Sequence, residues 1–68
     1  MKLRYIGPTS ILVGKSPDNK NLMWPLHIEQ VVLIKEIIQS SRDGYVVMTD
    51  MDGNKFPSVH FASFIIES

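Results

Sequence analysis

The sequence predicts an all-β domain, a small barrel of about five strands with a single helical turn before the last strand. Three observations carry this. Apolar residues come in short runs of period two, most clearly Tyr45, Val47 and Thr49 alternating with Val46 and Met48. Asp43-Gly44 and Asp52-Gly53 stand between such runs, and Asp-Gly in that setting is the strongest short-range hairpin signal. The chain has 68 residues, enough for one domain, 1–68, with a small core and a thin stability margin.

The elements follow in order. Residues 2–6 alternate, with Leu3 and Tyr5 on one face, and suit a half-buried first strand. Gly7-Pro8 breaks it, and residues 9–13 are β-branched enough for a second extended piece. Residues 14–21, GKSPDNKN, carry Gly, Pro, Asp and Asn at turn positions and read as a polar loop. Residues 22–28 are apolar but contain Pro25, which bars them from a central strand.

Residues 29–41 fit either period. As a helix, Val31, Ile34, Ile37 and Ile38 share a face. As a strand, five of the eight residues 31–38 are Val or Ile, which favours strand. That strand, 31–40, would pair with residues 45–50 through the Asp43-Gly44 turn. Residues 51–54 form the second turn, and Pro57 ends the strand after it. Residues 58–63 read as one tight helical turn capped by Ser58, and 64–67 as the closing strand. Val46, Met48, Phe56, Phe61, Phe64 and Ile66 are the expected core.

Strand, long loop, three strands joined by tight turns, helical turn, short strand is the order of an SH3-like barrel. Gly7-Pro8-Thr9-Ser10, Asp43-Gly44-Tyr45, residues 50–54, Phe56-Pro57, and Phe61 or Phe64 carry a further likeness. In these the chain resembles the very small SH3-like β-barrel domains of Gram-positive bacteria and their phages. The resemblance implies the fold, and a phage-encoded regulator or inhibitor of a host protein. It brings no catalytic residues. The departure is an atypical loop at 15–28, longer and more apolar than such domains show.

Seven basic and seven acidic residues cancel, which argues against general capture of nucleic acid or anionic membrane. With no cysteine, disulfides and thiolate metal sites are excluded. The first ten residues lack the apolar run of a signal peptide, and the longest apolar run, 31–34, is far short of a membrane span. A cytoplasmic location is expected.

Catalytic equipment is not expected. Gly14-Lys15-Ser16 resembles the end of a phosphate-binding loop, but Thr9 stands where that loop needs glycine and Pro17 where its helix should start. Asp50-Met51-Asp52-Gly53-Asn54 opens like a calcium loop, but Lys55 and Phe61 occupy its invariant Gly and Glu positions. His27 and His60 have no metal-ligand spacing, so no metal and no cofactor are expected. No nucleophile elbow is present.

What remains is binding. Trp24 either lids a small core or anchors a partner, since Trp is enriched among interface hot spots. The expected protein-binding residues are Tyr5, Met23, Trp24 and Tyr45, with an acidic rim that includes Asp50 and Asp52. The alternative is a small nucleic-acid-binding barrel in which Lys2, Arg4, Tyr5, Lys15, Lys20 and Trp24 line a basic groove. Self-association through edge strands is a third possibility.

Overall fold

The structure is a computed structural model that describes residues 1–67. Seven antiparallel strands form: β1 (Lys2–Tyr5), β2 (Ser10–Lys15), β3 (Asn21–Leu26), β4 (Val31–Gln39), β5 (Tyr45–Asp50), β6 (Lys55–His60) and β7 (Phe64–Ile66). A 3-10 turn, Phe61–Ser63, precedes β7, and no α-helix occurs among the described residues. The strands make one sheet in the order β3-β2-β6-β5-β4-β1-β7. The edges β3 and β7 are not hydrogen-bonded to one another, so the sheet is open.

The count exceeds five because the extended piece at 9–13 is a full strand, β2, and the expected loop at 15–28 contains another, β3. Residues 21–26 pair with β2 along its whole length, from Ser10↔Leu26 to Lys15↔Asn21. Pro25 is tolerated because β3 is an edge and the missing N–H faces no neighbour. The polar tip shrinks to residues 16–20. Ser16 N–H donates to the Lys20 carbonyl at 2.9 Å, and Asn19 takes a left-handed φ of 67°.

β4 is the bent spine of the sheet. Residues 31–33 pair with β1, and the later part pairs with β5. Between Ile34↔Asp50 and Glu36↔Thr49 the register slips by one residue, leaving Lys35 as a bulge. A bulge exchanges the faces of all residues beyond it. Val32 and Ile34 therefore point inward before it and Ile37 after it, while Ile38 is exposed. The Lys35-Glu36 interruption of an apolar run is the sequence mark of this bend.

β6 has a bulge as well. Val46↔Val59 and Met48↔Phe56 enclose one residue on β5 and two on β6, Pro57 and Ser58. Pro57 therefore does not end the strand: a bulge is one of the few central-strand positions where proline is accepted. β6 continues to His60, and the helical turn is shorter than expected, 61–63 rather than 58–63. Its N-cap is His60, without a side-chain cap bond, and Ser58 belongs to the strand. The His60 ring nitrogen Nδ1 and Ser63 Oγ lie 3.1 Å apart across it.

The core is one cluster. Leu3, Leu26, Ile34, Met48 and Val59 are fully buried, with Val32, Val46, Phe56 and Phe64 beside them. Tyr5 joins this core rather than the surface. Its ring packs on Phe64 with centroids 5.1 Å apart, and its hydroxyl donates to the Pro8 carbonyl at 2.5 Å. Phe61 only flanks the core, and Ile66 is 58% exposed because β7 is an edge.

Candidate functional site

Trp24 is half-buried, with one side on the core and another at the surface. It faces inward from β3 and packs at a tilt on Phe56, with centroids 5.2 Å apart. It also lines a shallow depression of about 300 Å³ with Val31, Leu33, Asp50, Met51 and Asp52. Leu33 and Met51 are 55% and 62% exposed there, and Val31 about half. An aromatic ring fixed on its inner side and ringed by exposed aliphatic groups is a preorganised apolar contact.

The two aspartates reach this depression and do different work. Asp50 Oδ1 accepts the Asp52 and Asn54 backbone N–H groups at 3.0 and 2.9 Å, and Oδ2 accepts the Asn54 amide at 2.9 Å. Asp50 therefore ties the β5–β6 turn together. The turn closes with Gly53 N–H donating to the Asp50 carbonyl at 3.2 Å and Gly53 at φ 86°. A Cβ on Gly53 would be strained at that φ and would stand 3.3 Å from Pro17. Asp52 is exposed and has no ion pair among the described residues.

This division predicts different mutational costs. Asp50→Ala removes a charged acceptor of three bonds and should lower stability by about 2 kcal/mol in urea unfolding. Asp52→Ala should change it by no more than about 0.5 kcal/mol. Equal effects would mean that Asp50 does not hold the turn.

The other expected site residues lie elsewhere. Met23 points from the opposite face of β3, beside Val13. Tyr45 lies under the Arg42 guanidinium, 3.9 Å from the ring centroid, and against His60 at 5.3 Å, so its ring is already engaged. Tyr5 is internal. The structure thus brings together Trp24, Asp50 and Asp52, and separates Tyr5, Met23 and Tyr45 from them. Val31, Leu33 and Met51 were missed. Apolar residues at outward positions of an alternating strand, and one at a turn tip, were the available signal.

Lys2 and Arg4 do not join Lys15 and Lys20 as the expected nucleic-acid groove would need. β1, with Lys2 and Arg4, is separated from β2 in the sheet by β6, β5 and β4. Arg4 is ion-paired to Glu67 at 2.5 Å and to Glu29 at 3.3 Å. Lys20 pairs with Asp18 at 3.6 Å. The Asp18 carboxyl is held below its ordinary value by the Ser16 hydroxyl first, then by its own backbone amide and by Lys20. Among the described residues no three His, Asp or Glu side chains are grouped as metal ligands, and no helix is long and apolar enough to cross a membrane.

No protein-family model, curated protein or solved structure matches this chain.

Proposed function

We propose that the chain is a non-catalytic protein-binding module of SH3-like architecture that acts by occupying a partner. The observation that carries this is the Trp24 depression: a half-buried indole ringed by exposed Val31, Leu33 and Met51, with Asp52 at its rim. Its lining is aliphatic and aromatic, with one free carboxylate, which suits docking of an apolar side chain flanked by a basic one. The element order supports the SH3-like reading: consecutive hairpins β4–β5 and β5–β6, a bent central strand, and a 3-10 turn before the last. A phage-encoded regulator or inhibitor of a host protein remains what the resemblance adds.

A displayed peptide library, selected on the purified protein, tests the reading. Selected peptides should carry an apolar residue beside Lys or Arg and should shift the Trp24 indole and the Leu33 and Met51 methyl resonances. Leu33→Asp, at an exposed position, should weaken them by about thirtyfold, the equivalent of a 2 kcal/mol hot spot, with little change in melting temperature. Peptides that bind Leu33→Asp as well as the parent would overturn the site. Preferential capture of single-stranded nucleic acid with a steep salt dependence would overturn the function.

A further inference from the structure

A second groove, of about 640 Å³, lies where β2, β6 and β5 run side by side, and it shares no residue with the Trp24 depression. Lys15 and Lys55 both line it, and they are register partners across the β2–β6 pair. Residues directly opposite have Cβ atoms about 5 Å apart, on the same face, and like charges so placed destabilise a sheet. Neither lysine has an ion pair among the described residues. Glu36 shares that face, across Thr49 from Lys55, but forms no ion pair with either lysine, and the other nearby acids do not compensate. Asp18 is engaged by Ser16 and Lys20, Asp50 closes its own turn, and none of Asp18, Asp50 and Asp52 lines the groove.

Two lysines set side by side on one face, with no ion pair among the described residues, favour an anion between them. The rest of the lining decides which kind. Val13, Pro17, Val47 and Pro57 give apolar walls, and Asn19 and Asn21 add amides. No aromatic ring lines the groove, so there is no stacking platform for a base. The volume far exceeds that of one inorganic anion and lies in the range of small-ligand sites.

We propose that this groove is a second binding site, for an acidic segment of a partner protein. One Asp or Glu carboxylate sits between Lys15 and Lys55, and its apolar neighbours lie on Val13, Val47 and Pro57. This goes beyond the Trp24 depression, since it is a different surface with the opposite charge preference.

Two measurements test it on the full chain. The first needs no ligand. Lys55→Glu converts a like-charged pair into an ion pair, so the variant should melt above the parent at low salt, with the gap closing in high salt. A variant that melts below the parent at low salt would overturn the repulsion on which the site rests. The second is a resonance titration with a decapeptide that alternates Glu with Val and Leu. The Lys15, Lys55, Val13 and Val47 signals should shift saturably, and the Trp24 indole should not.

Lys15→Glu with Lys55→Glu should weaken that peptide by about tenfold or more, while Leu33→Asp should leave it unchanged, which separates failure here from failure of the Trp24 site. Equal binding of the same peptide with Gln for Glu would reduce the groove to an apolar surface. Displacement of the peptide by inorganic phosphate at equal concentration would make it a general anion site. Concentration-dependent shifts of these same signals without peptide would make it a self-association surface. Each of these three results overturns the proposal.

Discussion

Ile34→Ala should remove a large share of the protein's stability. Ile34 is 0% exposed, and deleting its outer carbons removes buried apolar surface and leaves a cavity. Such truncations cost roughly 2–5 kcal/mol. A domain of 68 residues has roughly 3–10 kcal/mol in total, so one substitution removes a large share or all of it. The site also has little freedom to relax. Ile34 N–H donates to the Met1 carbonyl at 2.8 Å, and the N-terminal ammonium donates back to the Ile34 carbonyl at 2.8 Å. On its other side Ile34 is paired with Asp50 of β5. Here β4 leaves β1 and takes up β5, so collapse around the cavity would disturb both ladders.

Ile38→Ala is the control. It is the same truncation in the same strand, at a residue 51% exposed, and should cost no more than about 0.5–1 kcal/mol in urea unfolding. The difference between the two isoleucines depends on the Lys35 bulge. A simple alternating strand would place Ile34 and Ile38 on the same face. If the two variants unfold at the same urea concentration, the bulge is absent and the facing of the second half of β4 is wrong.

That bulge also shows where the sequence was legible. Strand existence was readable wherever one period ran unbroken between strong turn signals: β1, β5 and the Asp52-Gly53 turn appear where alternation and Asp-Gly put them. Proline was the difficult signal. Pro25 correctly excludes a central strand, but the edge strand it allows stands where a loop was expected, and Pro57, the expected strand end, sits in a bulge. Edge and bulge are the two settings in which a missing N–H costs little. Neither setting is local information, because edge status and bulge position depend on which strands lie alongside.

The candidate site divides on the same principle. Trp24 was identifiable as the one large amphipathic ring beside a polar loop. Tyr5 was misplaced as a surface aromatic, although its alternation with Leu3 already put it on the inner face. Asp50 and Asp52 look equivalent in sequence, and only the turn hydrogen bonds tell the structural carboxylate from the free one. The Lys15–Lys55 juxtaposition, 40 positions apart in the chain, is set wholly by β2–β6 register.

Gly14→Ala should detach the β2–β3 hairpin from the rest of the sheet. A Cβ at position 14 would stand 2.3 Å from the Lys55 carbonyl oxygen and 2.5 Å from Phe56 Cδ1. The first is backbone and cannot swing aside. The second belongs to a ring buried in the core and held against Trp24. Overpacking commonly costs 1–3 kcal/mol, and with no flexible neighbour to yield, the cost here should be about 3 kcal/mol or more. Separating β2 from β6 is the available relief. Lys15↔Lys55 is the register pair that joins these strands, and β3 reaches the sheet only through β2, so the whole hairpin would move as a unit.

Tryptophan emission reports this directly, since Trp24 is the sole tryptophan and lies on that hairpin. Its emission should shift to the red and become open to iodide quenching. Amides of β2 and β3 should lose exchange protection while those of β1, β4 and β5 keep theirs. Gly44→Ala separates crowding from backbone strain. No atom lies within 4 Å of a Cβ built there, but φ is +80°, so its cost should be only about 1–2 kcal/mol and should leave Trp24 emission unchanged. If Gly14→Ala keeps the parent emission and melting point, β2 does not approach β6 this closely. The Trp24 depression and the Lys15–Lys55 groove would then both lose the framework that forms them.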